Sequence, residues 1–250
     1  MPDLLQFDRL CVVLVSTRNP LNIGAAARAM SNLGFLHLRV VNPYEASFRE
    51  ARSAVGAAPL LKRAEEFKSV AEAIADCSLV VGTTAAQNRE LQQPLRLLPQ
   101  AAPLLRRSLR SGRVALLFGS EKRGLSNSDL SYCHWLLRIP TREEHSSMNL
   151  GQAVAVCLYE LARTVQGGKH ARMPPGRREE PGGPASAGKL DRVTALLLEA
   201  LRASGYLGQH PDAAKEEKVR RMVRRLSLSD ADAEIWLGML RQIVWKLTQR

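Results

Sequence analysis

Short continuous apolar runs recur through the first two-thirds of the chain, and amphipathic segments separate them. The runs are rich in valine and leucine, a pattern that is typical of strands buried on both faces of a sheet. We therefore predict strands at residues 10–15, 36–41, 79–82, 114–118 and 135–139.

Helical spacing marks several of the intervening segments. Residues 22–33 are rich in alanine, Asn22 can cap this helix, and Gly34 follows its end. Residues 69–76 begin with a capping-box pattern, and residues 147–164 place an apolar stripe at helical spacing. Strands that alternate with helices predict an α/β domain with a mostly parallel sheet and helices on both faces.

The composition changes sharply between residues 167 and 188, where glycine and proline are frequent and arginines are interspersed. This composition predicts a basic linker at residues 167–189 in which no core forms. Residues 190–250 then carry three helical patterns, the last of them capped by Ser229. We predict a first domain at residues 1–166 and a helical extension at 190–250, which either forms a small bundle or docks on the first domain.

The charge of the chain points to a polyanionic partner. The net charge is +12 and the isoelectric point is near 10.1. A basic surface attracts phosphate backbones, so we favour a nucleic acid over a basic protein without such a partner.

The cysteines and the apolar runs suggest a compartment. The four cysteines are far apart and form no C-x-x-C pair, which indicates buried free thiols in a reducing environment and argues against a metal site. No signal-peptide pattern or bilayer-length apolar run is present, so we expect a cytoplasmic protein with no metal and no membrane partner.

Three polar segments, at residues 19–30, 117–127 and 146–153, each lie at the end of a strand-like run. Loops at strand ends are where a rigid scaffold presents binding and catalytic groups, so the three segments predict one composite site. The candidate catalytic groups in these segments are Asn22, Arg28, Glu121, Ser147 and Asn149.

Each segment also has an ordinary structural interpretation. Asn22 and Ser147 can be helix caps, Arg28 a surface residue, and Glu121 part of a strand-to-helix turn. Residues 119–124 have the glycine spacing of a P-loop, but Leu125 stands where that motif requires lysine. No G-x-G-x-x-G follows the first strand either, so a nucleotide-binding α/β regulator is disfavoured.

Taken together, the three segments resemble the motifs of the SpoU/TrmH branch of the SPOUT RNA methyltransferases, and most closely those of its TrmJ type. The first motif corresponds to Asn22 with Arg28, the second to residues 118–121 with 124–125, and the third to residues 147–150 with Ala153. Order and spacing fit over about the first two-thirds of the chain. Met148 and Gly151 stand where the family more often has leucine and alanine, and neither change touches a catalytic role.

The resemblance implies a SPOUT α/β knot, in which a deep trefoil knot holds S-adenosylmethionine, and a homodimer in which Arg28 of one subunit faces the cofactor of the other. It implies a cofactor pocket built from Thr83, Thr84, Ala85, Gly119, Ile139, Ser146, Ser147 and Met148.

The implied reaction is methylation of a ribose 2′-hydroxyl of tRNA in the anticodon loop, at a cytidine or uridine at position 32. For tRNA binding we predict Arg28 together with a basic helix of the extension, through Lys218, Arg220, Arg221, Arg224 and Arg225. Two alternatives stay open: the same methylation on ribosomal RNA, and an RNA-binding module that keeps the fold without catalysis.

Overall fold

The computed structural model describes residues 4–43, 46–85, 91–163, 183–207 and 212–249. Within these residues, one sheet contains seven strands, and every pairing between neighbours is parallel. The strands are β1 (Leu10–Val15), β2 (His37–Val41), β3 (Glu65–Phe67), β4 (Leu79–Thr83), β5 (Leu95–Leu97), β6 (Val114–Phe118) and β7 (Trp135–Arg138).

The strand order is β3-β2-β1-β6-β4-β7-β5. From β1 the chain builds outward through β2 and β3, and then returns to the other side of β1 for the remaining strands. An open parallel sheet binds ligands at the carboxyl ends of its strands where the order reverses in this way. The reversal lies between β1 and β6, so the topology directs attention to the loops after these two strands.

The predicted α/β class and the five predicted strands are confirmed, with strand ends that differ by at most one residue. Sequence reasoning missed β3 and β5. Each has only three residues, and neither has a buried one, so neither produces an apolar run.

Helices cover both faces of the sheet, as predicted. They are α1 (Pro20–Leu33), α2 (Ala58–Lys62), α3 (Val70–Ala73), α4 (Leu98–Ser111), α5 (Asn127–Ser131), α6 (Leu150–Ala162), α7 (Ala187–Ala203), α8 (Ala213–Leu226) and α9 (Asp230–Thr248). Because side chains alternate along a strand, Leu10, Val12 and Leu14 of β1 pack under α1, α4 and α6. Cys11 and Val13 face α3 and α5 on the opposite side.

Two helices near the strand ends begin at residues other than those predicted. Helix α1 begins at Pro20 and not at Asn22, because Asn19 is the cap and its Oδ1 accepts the N–H of Leu21 at 2.9 Å. Helix α6 begins at Leu150 and not at Ser147, because Asn149 is its cap. Gly34 ends α1 in the left-handed conformation, as expected.

The C-terminal helices both form a bundle and dock on the sheet domain. Residues 164–182, most of the predicted linker, lie outside the described residues. Helix α7 begins at Ala187, within the range predicted as linker, where Ala187 N–H donates to Cys77 O (2.7 Å) and Gly188 N–H to Ala75 O (2.9 Å). Ala185 and Ala187 are buried, so the expectation that no core forms before residue 189 is wrong for this last part. The domain boundaries themselves stay predictions.

The cysteine prediction is confirmed, since all four cysteines are free and buried. None of the described helices is both long and apolar enough to cross a membrane. Over the same residues, no three His, Cys, Asp or Glu side chains cluster in a way that could hold a metal ion.

Candidate active site

A cavity of about 300 Å³ opens at the carboxyl ends of β4, β6 and β7. It is lined by the loops after these strands and by the first turns of α6. Eight of its lining residues are the ones predicted to hold a cofactor: Thr83, Thr84, Ala85, Gly119, Ile139, Ser146, Ser147 and Met148. Folding thus brings residues from four separate parts of the chain to one cavity.

The loop after β6 folds back on itself beneath this cavity. Gly124 N–H donates to Ser120 O at 2.8 Å, and Gly124 has a φ of 67°, which favours glycine. A Cβ added to Gly119 would lie 2.0 Å from the carbonyl carbon of Gly124 and 2.1 Å from the nitrogen of Leu125. Any side chain at position 119 would therefore displace the backbone that forms the cavity wall.

A directional hydrogen-bond chain joins the three polar segments beside the cavity. The Asn149 Oδ1 atom accepts the N–H groups of Gly151 and Gln152, so its amide nitrogen points away from the helix and donates to Asn22 Oδ1 at 3.0 Å. Asn22 Nδ2 in turn donates to Glu121 Oε1 at 2.8 Å. The helix cap at one end and the carboxylate at the other fix the orientation of both amides.

Glu121 is the acceptor at the end of this chain. Its carboxylate accepts Asn22 Nδ2 and, at 3.3 and 3.4 Å, the backbone N–H groups of Arg18 and Asn19. Partial burial alone raises the pKa of Glu121, but these hydrogen bonds outweigh burial and lower the pKa below its ordinary value. Glu121 is therefore ionised at neutral pH, where it positions the start of α1 and does not serve as a proton donor.

We expect Glu121→Gln to lower the melting temperature at pH 7, because the amide offers one acceptor oxygen where the carboxylate offers two. The folded-state pKa of Glu121 is depressed, so its contribution to stability is present above the unfolded-state pKa near 4.5 and is lost as pH falls through the folded-state value. Thermal unfolding of both proteins between pH 7 and pH 3 should show the gap closing at the acid end. A gap that does not change with pH would contradict the ionised role.

Ser147 and Arg28 differ in their relation to the cavity. Ser147 lines it and is exposed, in the loop before α6. Arg28 is exposed on α1 and does not line the cavity of its own chain. Six residues separate it from Asn22, so at about 100° per residue the two side chains leave α1 about 120° apart. The structure thus joins Asn22, Glu121 and Asn149, places Ser147 at the cavity, and leaves Arg28 outside the cavity lining.

The predicted RNA-binding helix α8 is only partly a free cationic surface. Arg224 is 1% exposed and pairs with Asp191 at 2.8 Å, so its predicted phosphate contact is wrong in this structure. Burial lowers the pKa of Arg224 and partial burial raises the pKa of Asp191.

Two further arginines of α8 make contacts within the protein. Arg220 donates to Ser131 Oγ at 2.9 Å and lies 4.3 Å from the ring centroid of Tyr132, and Arg221 pairs with Glu217 at 3.3 Å. Lys218 and Arg225 are exposed. Arg220 and Arg224 therefore help to pack this helix against α5 and α7. RNA contacts of the exposed side chains, Lys218 and Arg225, stay predictions.

Sequence reasoning missed two features of the site. The first is Asn19, whose capping of α1 frees Asn22 for the hydrogen-bond chain; the Asn19-Pro20 pair is a helix-start signal that could have revealed it. The second is the backbone N–H pair of Arg18 and Asn19 that faces Glu121. No sequence pattern marks that pair, since it depends on how the loop after β1 meets the loop after β6.

Comparison with known proteins identifies relatives of this chain. The profile of the SpoU rRNA Methylase family matches residues 9–159. The tRNA (cytidine/uridine-2′-O-)-methyltransferase TrmJ of Yersinia pestis (strain Pestoides F) is 34% identical over 233 residues, which cover 93% of this chain and 90% of that protein. The protein of the same name from Klebsiella pneumoniae is 34% identical over 236 residues, which cover 93% of this chain and 95% of that protein.

A solved structure extends the similarity to the whole fold. The crystal structure of TrmJ from Z. mobilis ZM4 superposes with a TM-score of 0.79 at 30% identity, covering 93% of this chain and 98% of that one. The aligned region includes the C-terminal helices as well as the sheet domain, since it spans nearly all of both chains. The chain belongs to the SpoU methylase family of methyltransferases.

Proposed function

We propose that this enzyme uses S-adenosylmethionine to methylate the ribose 2′-hydroxyl of tRNA, at a cytidine or uridine of the anticodon loop. The observation that carries the proposal is the hydrogen-bond chain Glu121–Asn22–Asn149 beside a cavity at the carboxyl ends of β4, β6 and β7. Relatives that align with 93% of this chain are named tRNA (cytidine/uridine-2′-O-)-methyltransferases. A tRNA substrate places the reaction in the cytoplasm.

The cavity fits the proposed cofactor in size and in chemistry. Its volume of about 300 Å³ is at the lower end of pockets that hold small molecules, about 300–1,000 Å³. Gly119 and Gly124 let the backbone approach a ligand closely, and the hydroxyls of Ser146, Ser147 and Thr141 lie among the lining residues. When bound there, S-adenosylmethionine supplies the electrophilic methyl group.

The protein's own part is to position the ribose and to manage its proton. Ser147 and Asn149 lie at the start of α6, close enough to the cavity to orient the ribose. We assign Arg28 to the adjacent phosphate and to the charge that develops on the 2′-oxygen, because a guanidinium stays protonated in proteins and makes a poor base. The proton then leaves to phosphate or water.

The proposal includes a homodimer held through the trefoil-knotted region. Arg28 is exposed and does not line the cavity of its own chain, and the proposal brings it to the cavity of the second subunit. Each active site is then built from two chains: the cavity and the Glu121 network of one, and Arg28 of the other.

Ribosomal RNA is the alternative substrate, and the name of the matched family favours it. The residues around the cavity act on ribose and phosphate and do not separate the two RNAs. The similarity to tRNA enzymes extends through the C-terminal helices, beyond the residues that the family profile matches, and on that ground we place tRNA first. A non-catalytic module is disfavoured because Asn22, Glu121 and Asn149 are all present and connected.

The proposed function is tested by incubating the protein with S-adenosylmethionine carrying a labelled methyl group and with unmodified tRNA transcripts or ribosomal RNA. We expect label in tRNA at one ribose of the anticodon loop, mapped by nuclease digestion and mass spectrometry. Substituting a 2′-deoxynucleotide at that position should abolish labelling. Label on a base, or on ribosomal RNA alone, would contradict the proposal.

We expect two adjacent arginines of α8 to behave in opposite ways. Arg224→Ala removes the ion-pair partner of Asp191, whose side chain is only 23% exposed, and this loss costs about 3 kcal/mol of unfolding free energy. Arg225→Ala should change stability by no more than about 0.5 kcal/mol. It should weaken tRNA binding. It should also reduce the slope of the logarithm of the binding constant against the logarithm of the salt concentration by about 1, as the loss of one phosphate contact does.

Urea unfolding and tRNA binding at several salt concentrations separate the two effects. Lys218→Ala tests a second exposed cation on the same helix in the same way. If Arg225→Ala and Lys218→Ala both bind tRNA as the wild type does, the extension does not contact the tRNA backbone through α8.

A further inference from the structure

Helix α9 carries a second apolar face that its own bundle does not cover. Ala233, Leu237 and Leu240 are buried in the bundle core. Ile235, Met239 and Ile243 lie on a different side of the helix and are 60%, 48% and 47% exposed. Large apolar side chains repeated at a spacing of four residues form a continuous stripe along a helix, and such an exposed stripe marks an interaction surface.

The stripe is symmetric about Met239. Ile235 and Ile243 lie four residues before and after it, and Asp232 and Lys246 lie seven residues before and after it. At about 100° per residue all five side chains fall within an arc of about 80°. An apolar centre is thus bounded at one end by the half-buried Asp232 carboxylate, whose Oδ2 accepts the Ser229 hydroxyl at 2.7 Å, and at the other by the exposed Lys246 ammonium group.

A second copy of the same stripe, turned end for end, matches each of these groups. The two Met239 side chains meet on the two-fold axis, and each Ile235 faces an Ile243 of the second copy. Each Asp232 faces a Lys246, so both ends carry an attractive pair. A two-fold contact requires a surface that is complementary to itself, and this spacing provides one.

We propose that α9 pairs antiparallel with α9 of a second copy of this chain, with Met239 on the axis. The occupant is a protein helix and not RNA, because the stripe offers apolar side chains to a partner whose backbone is anionic. The pairing is separate from the dimer proposed for the catalytic region: it either adds a contact within that dimer or joins two such dimers. It does not depend on the substrate.

The end of α9 is free to make this contact. Between residues 241 and 249 every side chain is exposed except Val244 and Leu247, which are half-buried. The last two turns therefore extend beyond the bundle core and leave room for a second helix. A 19-residue helix is about 28 Å long, enough for four turns of contact.

The test is disulfide formation in the full-length protein. Met239→Cys places two thiols on the proposed axis, and the four natural cysteines are buried. Under mild oxidation at micromolar concentration, we expect disulfide-linked dimers at least about tenfold faster than for Arg241→Cys, because pairing raises the local thiol concentration. Arg241 is exposed on the same helix, about 160° around from Met239.

Further variants test whether the two helices run antiparallel and whether Asp232 pairs with Lys246. In an antiparallel pair, Ile235→Cys should cross-link slowly with itself and rapidly with Ile243→Cys, whereas a parallel pair would cross-link Ile235→Cys with itself. Lys246→Asp added to Met239→Cys should slow cross-linking several-fold, because like charges then face each other at both ends. Equal rates for Met239→Cys and Arg241→Cys in proteins of wild-type helicity would overturn the proposal, as would rapid self-linking of Ile235→Cys.

Discussion

Replacing Gly119 by alanine should weaken S-adenosylmethionine binding about 10- to 100-fold, because overpacking that the fold cannot absorb costs about 1–3 kcal/mol. The added methyl would lie 2.0 Å from the carbonyl carbon of Gly124 and 2.4 Å from its oxygen. Both atoms belong to backbone, so no side chain can rotate away. The loop after β6 must move, and that loop forms a wall of the cavity.

Isothermal titration calorimetry with the cofactor measures this loss directly. Gly238→Ala is the matched control, since a Cβ at that helical position meets nothing within 4 Å. It should bind the cofactor as the wild type does and gain up to about 1 kcal/mol of helix stability. If Gly119→Ala also binds normally and unfolds like the wild type, the cavity does not hold the cofactor.

The strands that could be predicted from sequence are those with a strong physical signal. Strand β1 is buried at all six positions, so its composition alone identifies it. Strands β3 and β5 form only because neighbouring strands offer unpaired edges, and their own side chains are half-buried or exposed. An edge strand of three residues carries no such pattern, and propensity cannot reveal it.

The residues of the candidate site could be predicted from the sequence, but their geometry could not. The residues that line the cavity follow from the resemblance, because each motif keeps its spacing from a strand end. The hydrogen-bond chain through Asn22 does not follow from it, since the sequence is equally compatible with Asn22 as a helix cap, the role that Asn19 fills in the structure. A cap and a site residue draw on the same amide chemistry, and only the fold decides between them.

Arg224 shows how a prediction from charge alone fails. In sequence it is one of several basic residues on a helix whose apolar stripe is narrow, and the charge predicts exposure. In the structure it lies between α8 and α7 and pairs with Asp191, 33 residues earlier. A buried ion pair across two helices depends on which faces meet, so a count of charges misjudges how many can reach RNA.

Arg28→Ala should lower the methylation rate about 10²–10³-fold while leaving cofactor binding intact, as expected when one preorganised group that stabilises developing charge is removed. Arg28→Lys should recover little of this loss if the planar fork holds the phosphate, because lysine supplies only a point charge. Single-turnover rates at several pH values, with cofactor affinity measured in parallel, check both expectations. Near-wild-type rates for Arg28→Lys would exclude any role that requires the fork.

The same residue also tests whether each site is built from two chains. Arg28→Ala and Gly119→Ala are each expected to be inactive. Co-expression with two different affinity tags allows the mixed dimer to be purified, and it should regain about half the wild-type activity, because one of its two sites then combines an intact cavity with an intact Arg28. If Arg28 served the cavity of its own chain, both sites of the mixed dimer would carry a defect and no activity would return. Recovery therefore requires Arg28 to act on the cavity of the other subunit, which accounts for its absence from the lining of the cavity in its own chain.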